Sequence, residues 1–308
     1  MDRIAAILAS ALSMAAPLIY ASVGEILSER SGTLNLGLEG VMLMGAVMGY
    51  RTAYVTHSLT LALLAALGTG ALLGLLFAFL TVTLQANQVV SGLALVILGT
   101  GASGFIGYSV TGTTLPHGFQ KIAIPVLSKI PVLGTVLFRQ NAMIYLLYIL
   151  VPAITVYIYK TNPGLRLRAL GEDPGTLDAA GLNVYAMKYA YTTVGMAIVA
   201  LGGAYMTLAY TSTWIENITA GNGWIASALV IFAFWNPALA ALGSVFFGLV
   251  SVLALRVQIS NTQIPSFFIS MLPYICTVLV LLISSSGFSR KLGAAPRSLG
   301  TYYDREER

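Results

Sequence analysis

The chain has 308 residues, of which 57% are apolar and only 9% are charged, and its mean hydropathy is +0.84. This composition excludes an ordinary soluble domain and is typical of an integral membrane protein. The formal net charge is +5, but the basic residues are scattered beside apolar segments. That distribution favours a membrane-topology signal over a nucleic-acid surface, so we expect membrane lipid and no nucleic acid as partners.

Apolar segments of about 20 residues recur along the chain, the length of a membrane-spanning helix rather than of a barrel strand. They predict an all-α fold, a polytopic transmembrane helix bundle of about nine spans, with a range of eight to ten. The predicted spans are residues 4–23, 36–55, 59–82, 89–109, 142–159, 189–210, 224–235, 237–257 and 267–284.

A polar, glycine-containing stretch, GEILSERSGTLNLGLEGVMLMG, follows the first span. It predicts a broken helix near residues 24–45 that dips back into the membrane. The carboxylate of Glu39 and the amide of Asn35 then lie near the bilayer boundary or deeper, where they either line a solute path or cap a helix. The other charges of the stretch are interpreted as ordinary loop charges, namely Glu25, Glu29 and Arg30.

The longest polar interruption is KTNPGLRLRALGEDPGTLDAAGLNVYAMK, residues 160–188. Asn162-Pro163-Gly164 is predicted to end the preceding helix. Two short helices are predicted to follow, over 165–170 and 174–180, with Pro174 as the start and Gly181 as the stop of the second. This segment is the chain's main opportunity to contact a soluble partner.

Basic residues predict the topology. When the 160–188 loop and the tail 285–308 lie on one side, that side holds most of the lysines and arginines. The positive-inside rule then places the C-terminus in the cytoplasm and the N-terminus outside. We expect one transmembrane domain, 1–308, in the cytoplasmic membrane.

The order of the spans suggests an inverted repeat. Spans one to four and six to nine share a sequence of helix, glycine-rich loop, helix pair and last helix. Asn87 follows Gly74 by thirteen residues, and Asn261 follows Gly248 by thirteen residues. Such repeats place a solute path between the two halves.

Few other residues indicate chemistry. Trp214, Trp224 and Trp235 fall at predicted span ends, where interfacial anchoring is the usual role. His57 and His117 lack partners at metal-ligand spacing, so no metal or catalytic site is predicted. The sequence contains no GxxxxGK[ST] motif, so we expect no nucleotide-binding site, no enzyme activity and no cofactor of its own. Candidate residues of a translocation path are Asn35, Glu39, Asn87, Asn222 and Trp224.

The stretches GEILSERSGTLNLGLEGVMLMGA and TNPGLRLRALGEDPGTLDAAGLNVYAMK resemble permease subunits of bacterial ABC importers of the simple-sugar, branched-chain amino acid and nucleoside type. The first stretch is most similar to the nucleoside branch. The resemblance implies a cytoplasmic (inner) membrane location and a separate ABC ATPase subunit that binds the ATP. It also implies a second and non-identical permease and an external substrate-binding lipoprotein. It also implies that the 164–181 loop couples to the ATPase through Gly164, Leu165, Arg166, Arg168, Ala169, Gly171, Glu172, Asp173, Pro174, Ala179 and Gly181.

Two alternatives stay open from the residues alone. The permease would equally suit a simple sugar or a branched-chain amino acid. An ion-coupled secondary transporter would also show many spans and inverted repeats, but it usually needs a coupling residue deep in a span, and Glu39 is the sole candidate.

Overall fold

The computed structural model describes residues 2–260, 268–269, 271–285 and 295–305. Within these residues the regular secondary structure is helical apart from one short hairpin, and an isolated β-bridge joins Thr114 to Thr213. In chain order the elements are α1 (Asp2–Arg30), α2 (Leu38–Thr56), α3 (Leu59–Ala78), α4 (Gln88–Gly107), β1 (Lys121–Ala123), α5 (Leu133–Leu137), β2 (Arg139–Asn141), α6 (Ala142–Lys160), α7 (Asn162–Glu172), α8 (Pro174–Ala179), α9 (Val184–Tyr205), α10 (Asn222–Phe232), α11 (Pro237–Ser260) and α12 (Leu272–Ser285).

Short turns of other helix types extend several elements. α3 and α9 each continue into a five-residue π-helix, Phe79–Thr83 and Met206–Tyr210. Turns of 3-10 helix lie at Tyr108–Val110 and Leu127–Lys129. π-turns insert an extra residue per turn, and they are frequent at functional sites.

A helix occupies each predicted span, which confirms the helix-bundle fold. Among the described residues, six helices are long and apolar enough to cross a membrane: Ile4–Arg30, Leu59–Thr83, Gln88–Val110, Ala142–Lys160, Val184–Tyr210 and Pro237–Gln258. α10 has 11 residues and is about 16 Å long, roughly half of a bilayer core of about 30 Å. The count of about nine complete spans therefore stays a prediction, and the start of the last span at 267 lies outside the described residues.

α1 does not end at residue 23, and the interpretation of Glu25, Glu29 and Arg30 as loop charges is wrong. The helix continues to Arg30, and both carboxylates are buried. Gly24 does not stop the helix because it is a close-packing position: a Cβ added there would lie 2.4 Å from the carbonyl oxygen of Gly195 on α9.

The predicted break in the 24–45 stretch is present over residues 31–37. Gly32 opens it with φ of +84°, a left-handed conformation that favours glycine. α2 then starts at Leu38, and its Gly40 packs against Leu95 and Gly99. Those two residues lie near the middle of α4, so α2 begins in the interior of the bundle.

Helix packing follows a two-fold pattern. α1 and α9 run antiparallel in contact, α1 packs against α11 and α9 against α3, and α2 packs on α4 as α10 does on α12. Exchanging α1–α4 with α9–α12 leaves this pattern unchanged, as an inverted repeat requires. Gly74 packs on α9 at Thr193 and Gly248 packs on α1 at Ala11, so the two glycines are equivalent. Asn261 lies outside the described residues.

The two ends of the bundle differ. The loop end holds Arg30, α7, α8 and the tail residues 295–305, which contact α7. The opposite end holds the start of α1 and the hairpin, in which Lys121 pairs with Asn141 and Ala123 with Arg139. This hairpin was not predicted from the sequence, and its strands have only three residues each.

Candidate functional site

A central junction forms where the N-termini of α2 and α10 meet inside the bundle. Gly223, in the first turn of α10, lies so close to α2 that a Cβ added there would be 2.4 Å from the backbone nitrogen of Glu39. The carboxylate of Glu39 is buried and accepts hydrogen bonds from the amides of Gly221 (2.8 Å) and Gly223 (2.7 Å) and from the hydroxyl of Thr219 (2.5 Å).

These contacts explain why a carboxylate is stable in an apolar bundle. Helix N-termini expose unpaired amide groups and carry partial positive charge, so they favour an anion. Glu39 lies in the first turn of α2 and caps α10 at the same time. The junction therefore ties the two inverted halves together at one side chain.

A second polar group, the carboxyl cluster, lies at the loop end of α1 and comprises Glu25, Glu29, Arg30, Asn35 and Trp235. Glu25 and Glu29 are one helical turn apart on α1. Asn35 donates to the Glu25 carboxylate (3.2 Å), and the indole NH of Trp235 donates to the Glu29 carboxylate (2.5 Å). The cluster fixes the residues after α1 and the turn after α10 against the same helix end.

Arg30 completes the link to the turn between α10 and α11. Its guanidinium donates to the carbonyl oxygens of Phe234 (3.3 Å) and Trp235 (3.2 Å) and to the hydroxyl of Tyr159 (3.2 Å). Both residues of the turn have left-handed backbones, with φ of 51° at Phe234 and 54° at Trp235. The position of α10 is thus set at one end by Glu39 and at the other by α1.

The predicted path residues do not form one group. Asn35 is buried, and its side-chain oxygen accepts from the amide of Gly37 (2.8 Å). Asn87 is exposed at the loop end, where it caps α4. Asn222 begins α10 and lines a small internal cavity, and Trp224 is 41% exposed. Their role in a translocation path stays a prediction.

Two of the tryptophans are not interfacial anchors. Trp214 and Trp235 are both buried, and Trp214 packs on Gly107 at the end of α4, where no Cβ would fit. Both apolar rings are inside the bundle because the segments that follow the π-turn and α10 fold back into it. The prediction of interfacial anchoring is wrong for these two residues.

The loop at the loop end contains the two predicted helices, α7 and α8. α6 ends at Lys160, just before Asn162-Pro163-Gly164, as predicted. Thr161 caps α7 by accepting from the amide of Gly164 (3.1 Å), so the Asn-Pro-Gly sequence also forms the first turn of α7. Gly181 follows α8 with φ of +80°, as a helix stop requires.

Asp173 begins α8. Its carboxylate accepts from the amide of Gly175 (2.9 Å) and the hydroxyl of Thr176 (2.6 Å). The hydrogen bonds from the hydroxyl and amide of Thr176 hold the pKa of the Asp173 carboxyl below its ordinary value, because they stabilise the charged form.

Part of the predicted coupling set faces the protein itself. A Cβ on Gly164 would lie 1.9 Å from the carbonyl oxygen of Tyr157, and a Cβ on Gly171 would lie 2.4 Å from that of Arg30. The remaining loop residues divide by exposure. Those exposed to the outside are Leu165, Arg166, Glu172, Asp173, Thr176, Ala179, Ala180 and Gly181, while Arg168, Ala169 and Pro174 are half-buried.

The C-terminal tail clamps the loop, a contact that the sequence analysis missed. Ser298 donates from its amide (2.9 Å) and its hydroxyl (2.8 Å) to the carbonyl oxygen of Gly171. Tyr303 and Arg305 both contact the carboxylate of Asp178, at 3.0 Å each. The Arg297–Glu172 ion pair is 3.7 Å long and exposed, so it contributes little.

Sequence reasoning also missed the partners of Glu39. Gly221-Asn222-Gly223 is a visible local signal for a helix start, but the chain separates Thr219 from Glu39 by 180 residues. No local pattern could join them. Only the inverted packing of the two halves brings the carboxylate to this helix terminus.

Comparison with known proteins identifies the family of the chain and a solved structure with the same fold. The chain matches the family described as the permease component of the branched-chain amino acid transport system over residues 7–281. A solved structure titled an inward-facing conformation of a putative metal-chelate type ABC transporter shares the fold with a TM-score of 0.52, at 17% identity over 90% of this chain and 85% of that chain.

Curated relatives match over nearly full length. The nucleoside ABC transporter permease protein of Lactococcus lactis is 37% identical, covering 90% of this chain and 91% of its own. The guanosine ABC transporter permease protein of Bacillus subtilis is 34% identical, covering 98% and 97%. A putative glucose ABC transporter permease protein of Haloferax volcanii is 34% identical, covering 99% of both chains. The chain therefore belongs to the branched-chain amino acid transport system permease family and is a membrane permease of an ABC importer.

Proposed function

We propose that this permease imports nucleosides. The observation that carries the proposal is the full-length similarity to two permeases named for nucleoside and guanosine transport, at 37% and 34% identity. The glutamate-rich stretch that resembles the nucleoside branch supplies Glu25, Glu29 and Glu39, and these residues organise both polar groups of the bundle.

The exposed face of α7 and α8 contacts a separate ABC ATPase subunit. Support comes from its position, since it forms the surface at the loop end while Gly164 and Gly171 hold it to the bundle. ATP is bound by that partner. We place the loop end in the cytoplasm on the basis of its basic residues, and the N-terminus outside.

A continuous series of contacts connects the exposed face of α7 and α8 to the interior of the bundle. Gly171 touches the last residue of α1, and Arg30 and Glu29 hold the turn after α10. The start of α10 is held by Glu39 on α2. A displacement of α7 would therefore be transmitted to the central junction through α1, the turn after α10 and α10 itself, which are in direct contact. Switching between outward and inward access then takes place where the two halves meet.

A second, non-identical permease covers the outer face of α4. This face presents a row of exposed apolar side chains, with Ile97 at 74% and Phe105 at 86% exposure, beside the open position of Gly101. An external substrate-binding lipoprotein delivers the solute at the opposite end. Asn222 and Trp224 then lie toward the path, and Glu39 acts by holding the helix that carries them.

Uptake of labelled guanosine into proteoliposomes that contain the complete complex tests the substrate. We expect ATP-dependent uptake that excess unlabelled nucleoside abolishes and excess glucose leaves unchanged. The relative from Haloferax volcanii supports a sugar as the second candidate. Glucose uptake without guanosine uptake would reject the nucleoside assignment in its favour.

A further inference from the structure

A polar cleft opens at the end of the bundle opposite the loop, between α1, α9, α11 and the hairpin. It has a volume of about 340 Å³. Its polar lining comprises Ser10, Ser13, Lys121, Asn141, Tyr205, Tyr210 and Arg256. The cleft adjoins the small cavity that Asn222 lines, since Ser13, Met14 and Tyr210 line both. It opens at the end opposite the loop, where its two cations have no role in the proposed passage of an uncharged nucleoside.

Two cations line the cleft, and both are exposed. Neither Lys121 nor Arg256 forms an ion pair with any part of the chain that the structure describes. Among the described side chains, the acid at this end of the bundle is Glu216, which lies beside Gly104 on α4. Residues 261–267, which follow α11 outside the described residues, contain no Asp or Glu. Two like charges in one cleft repel each other until an anion enters.

A buried hydroxyl lines the same cleft. Tyr205 is 0% exposed, and its hydroxyl lies beside the side chains of Asn141 and Ser13. Tyr205 is the last residue of α9, and the π-helix that contains Tyr210 follows it directly. A phenol hydroxyl can donate a hydrogen bond to an anion.

The hairpin is held rigidly enough to complete the site. Lys121 pairs with Asn141 across the two strands, and Tyr145 on α6 donates to the carbonyl oxygen of Ile122 (2.7 Å). Asn141 caps α6 with its side-chain oxygen, and its side chain also lines the cleft beside Tyr205, where its NH₂ group can act as a donor. Cations and neutral donors thus converge from three separate elements.

We propose that this cleft is an oxyanion-binding site that takes a phosphate group. Lys121 and Arg256 neutralise the charge, and Tyr205 and Asn141 donate hydrogen bonds to the oxygens. The phosphate belongs either to a small soluble anion or to the headgroup of an anionic phospholipid, and the same residues recognise both.

Two arms of one experiment distinguish these sources. The purified chain is titrated with inorganic phosphate at constant ionic strength in chloride, with thermal unfolding as the readout. In parallel, native mass spectrometry counts phosphatidylglycerol molecules retained after purification. The test variant is Lys121→Ala/Arg256→Ala, and the matched control is Lys129→Ala/Arg139→Ala, which removes the same charge at the same end outside the cleft.

We expect the test variant to weaken the phosphate-dependent shift, or the lipid retention, by at least tenfold, and the control to behave as the wild type. Tyr205→Phe, which keeps the ring, should weaken the same response several-fold. A phosphate response identifies a soluble anion, and lipid retention without it identifies a headgroup. If the test variant and the control match in both arms, or if neither ligand binds the wild type, the proposal is wrong.

Discussion

The central junction and the α7–α8 loop contain the same kinds of polar residue in opposite surroundings. At the junction, one buried carboxylate accepts three hydrogen bonds from a helix start 180 residues away. In the loop, Asp173 accepts bonds from residues two and three positions along, in full contact with solvent. The first contact determines how two halves of the bundle assemble, whereas the second shapes one short helix.

Removing the junction carboxylate should have the largest effect. Glu39→Ala leaves two amides and a hydroxyl without acceptors, at about 1–3 kcal/mol for each unsatisfied group, so we expect a total loss of at least about 3 kcal/mol. Thermal unfolding of the purified chain in detergent measures it. Glu39→Gln keeps one acceptor oxygen and should lose less. Transport should fall in both variants.

The control is Glu216→Ala, which removes the exposed acid beside α4. It should unfold with the wild type. Equal unfolding temperatures for Glu39→Ala and Glu216→Ala would show that the junction does not hold α10.

Close packing of the loop against α1 gives an intermediate effect. Gly171→Ala places a methyl group 2.4 Å from the carbonyl oxygen of Arg30, so the loop must shift, at an expected cost of about 1–3 kcal/mol. Gly68→Ala is the matched control, since it also lies in a helix but meets nothing within 4 Å. Alanine there should be neutral or stabilise the helix by about 0.5–1 kcal/mol. Chemical denaturation of the two variants side by side measures both changes, and an equal response would contradict this packing.

The cap of α8 should give the smallest effect, visible only in acid. Because the pKa of Asp173 is lowered in the folded chain, its contribution is complete above the ordinary carboxyl pKa and is lost as the pH falls through the folded value. Hydrogen exchange of the segment 173–180, corrected for intrinsic rates, should therefore show more opening at pH 3 than at pH 6. Asp173→Asn should abolish this difference. If the wild type shows no difference between pH 3 and pH 6, the Asp173 carboxylate does not stabilise the start of α8.

Local signals predicted the loop well and the junction poorly. Pro174 and Gly181 are read directly from the sequence as a helix start and stop, and both are found there. The recurring apolar segments of about 20 residues predicted the long helices in the same way. Glu25 and Glu29 were misassigned to a loop because burial depends on Gly24 packing on Gly195, a contact between distant segments.

The order of the spans suggested the repeat, but it did not predict the contact between α10 and Glu39. Sequence placed Glu39 in a broken segment without indicating that the second half would present α10 to it. Gly171 was likewise expected to contact another protein, yet it contacts Arg30. Glycine in a polar loop signals close approach, and the sequence alone does not say to which surface.

The most direct test of the account is the nucleoside-stimulated ATPase activity of the complete complex in proteoliposomes. Ala180→Trp adds bulk at an exposed position of the loop, and Thr60→Trp adds it at an exposed position at the opposite end. We predict that Ala180→Trp lowers stimulated hydrolysis at least tenfold while the permease still inserts, and that Thr60→Trp leaves it unchanged. Wild-type stimulation in Ala180→Trp would contradict the assignment of this face to the ATPase.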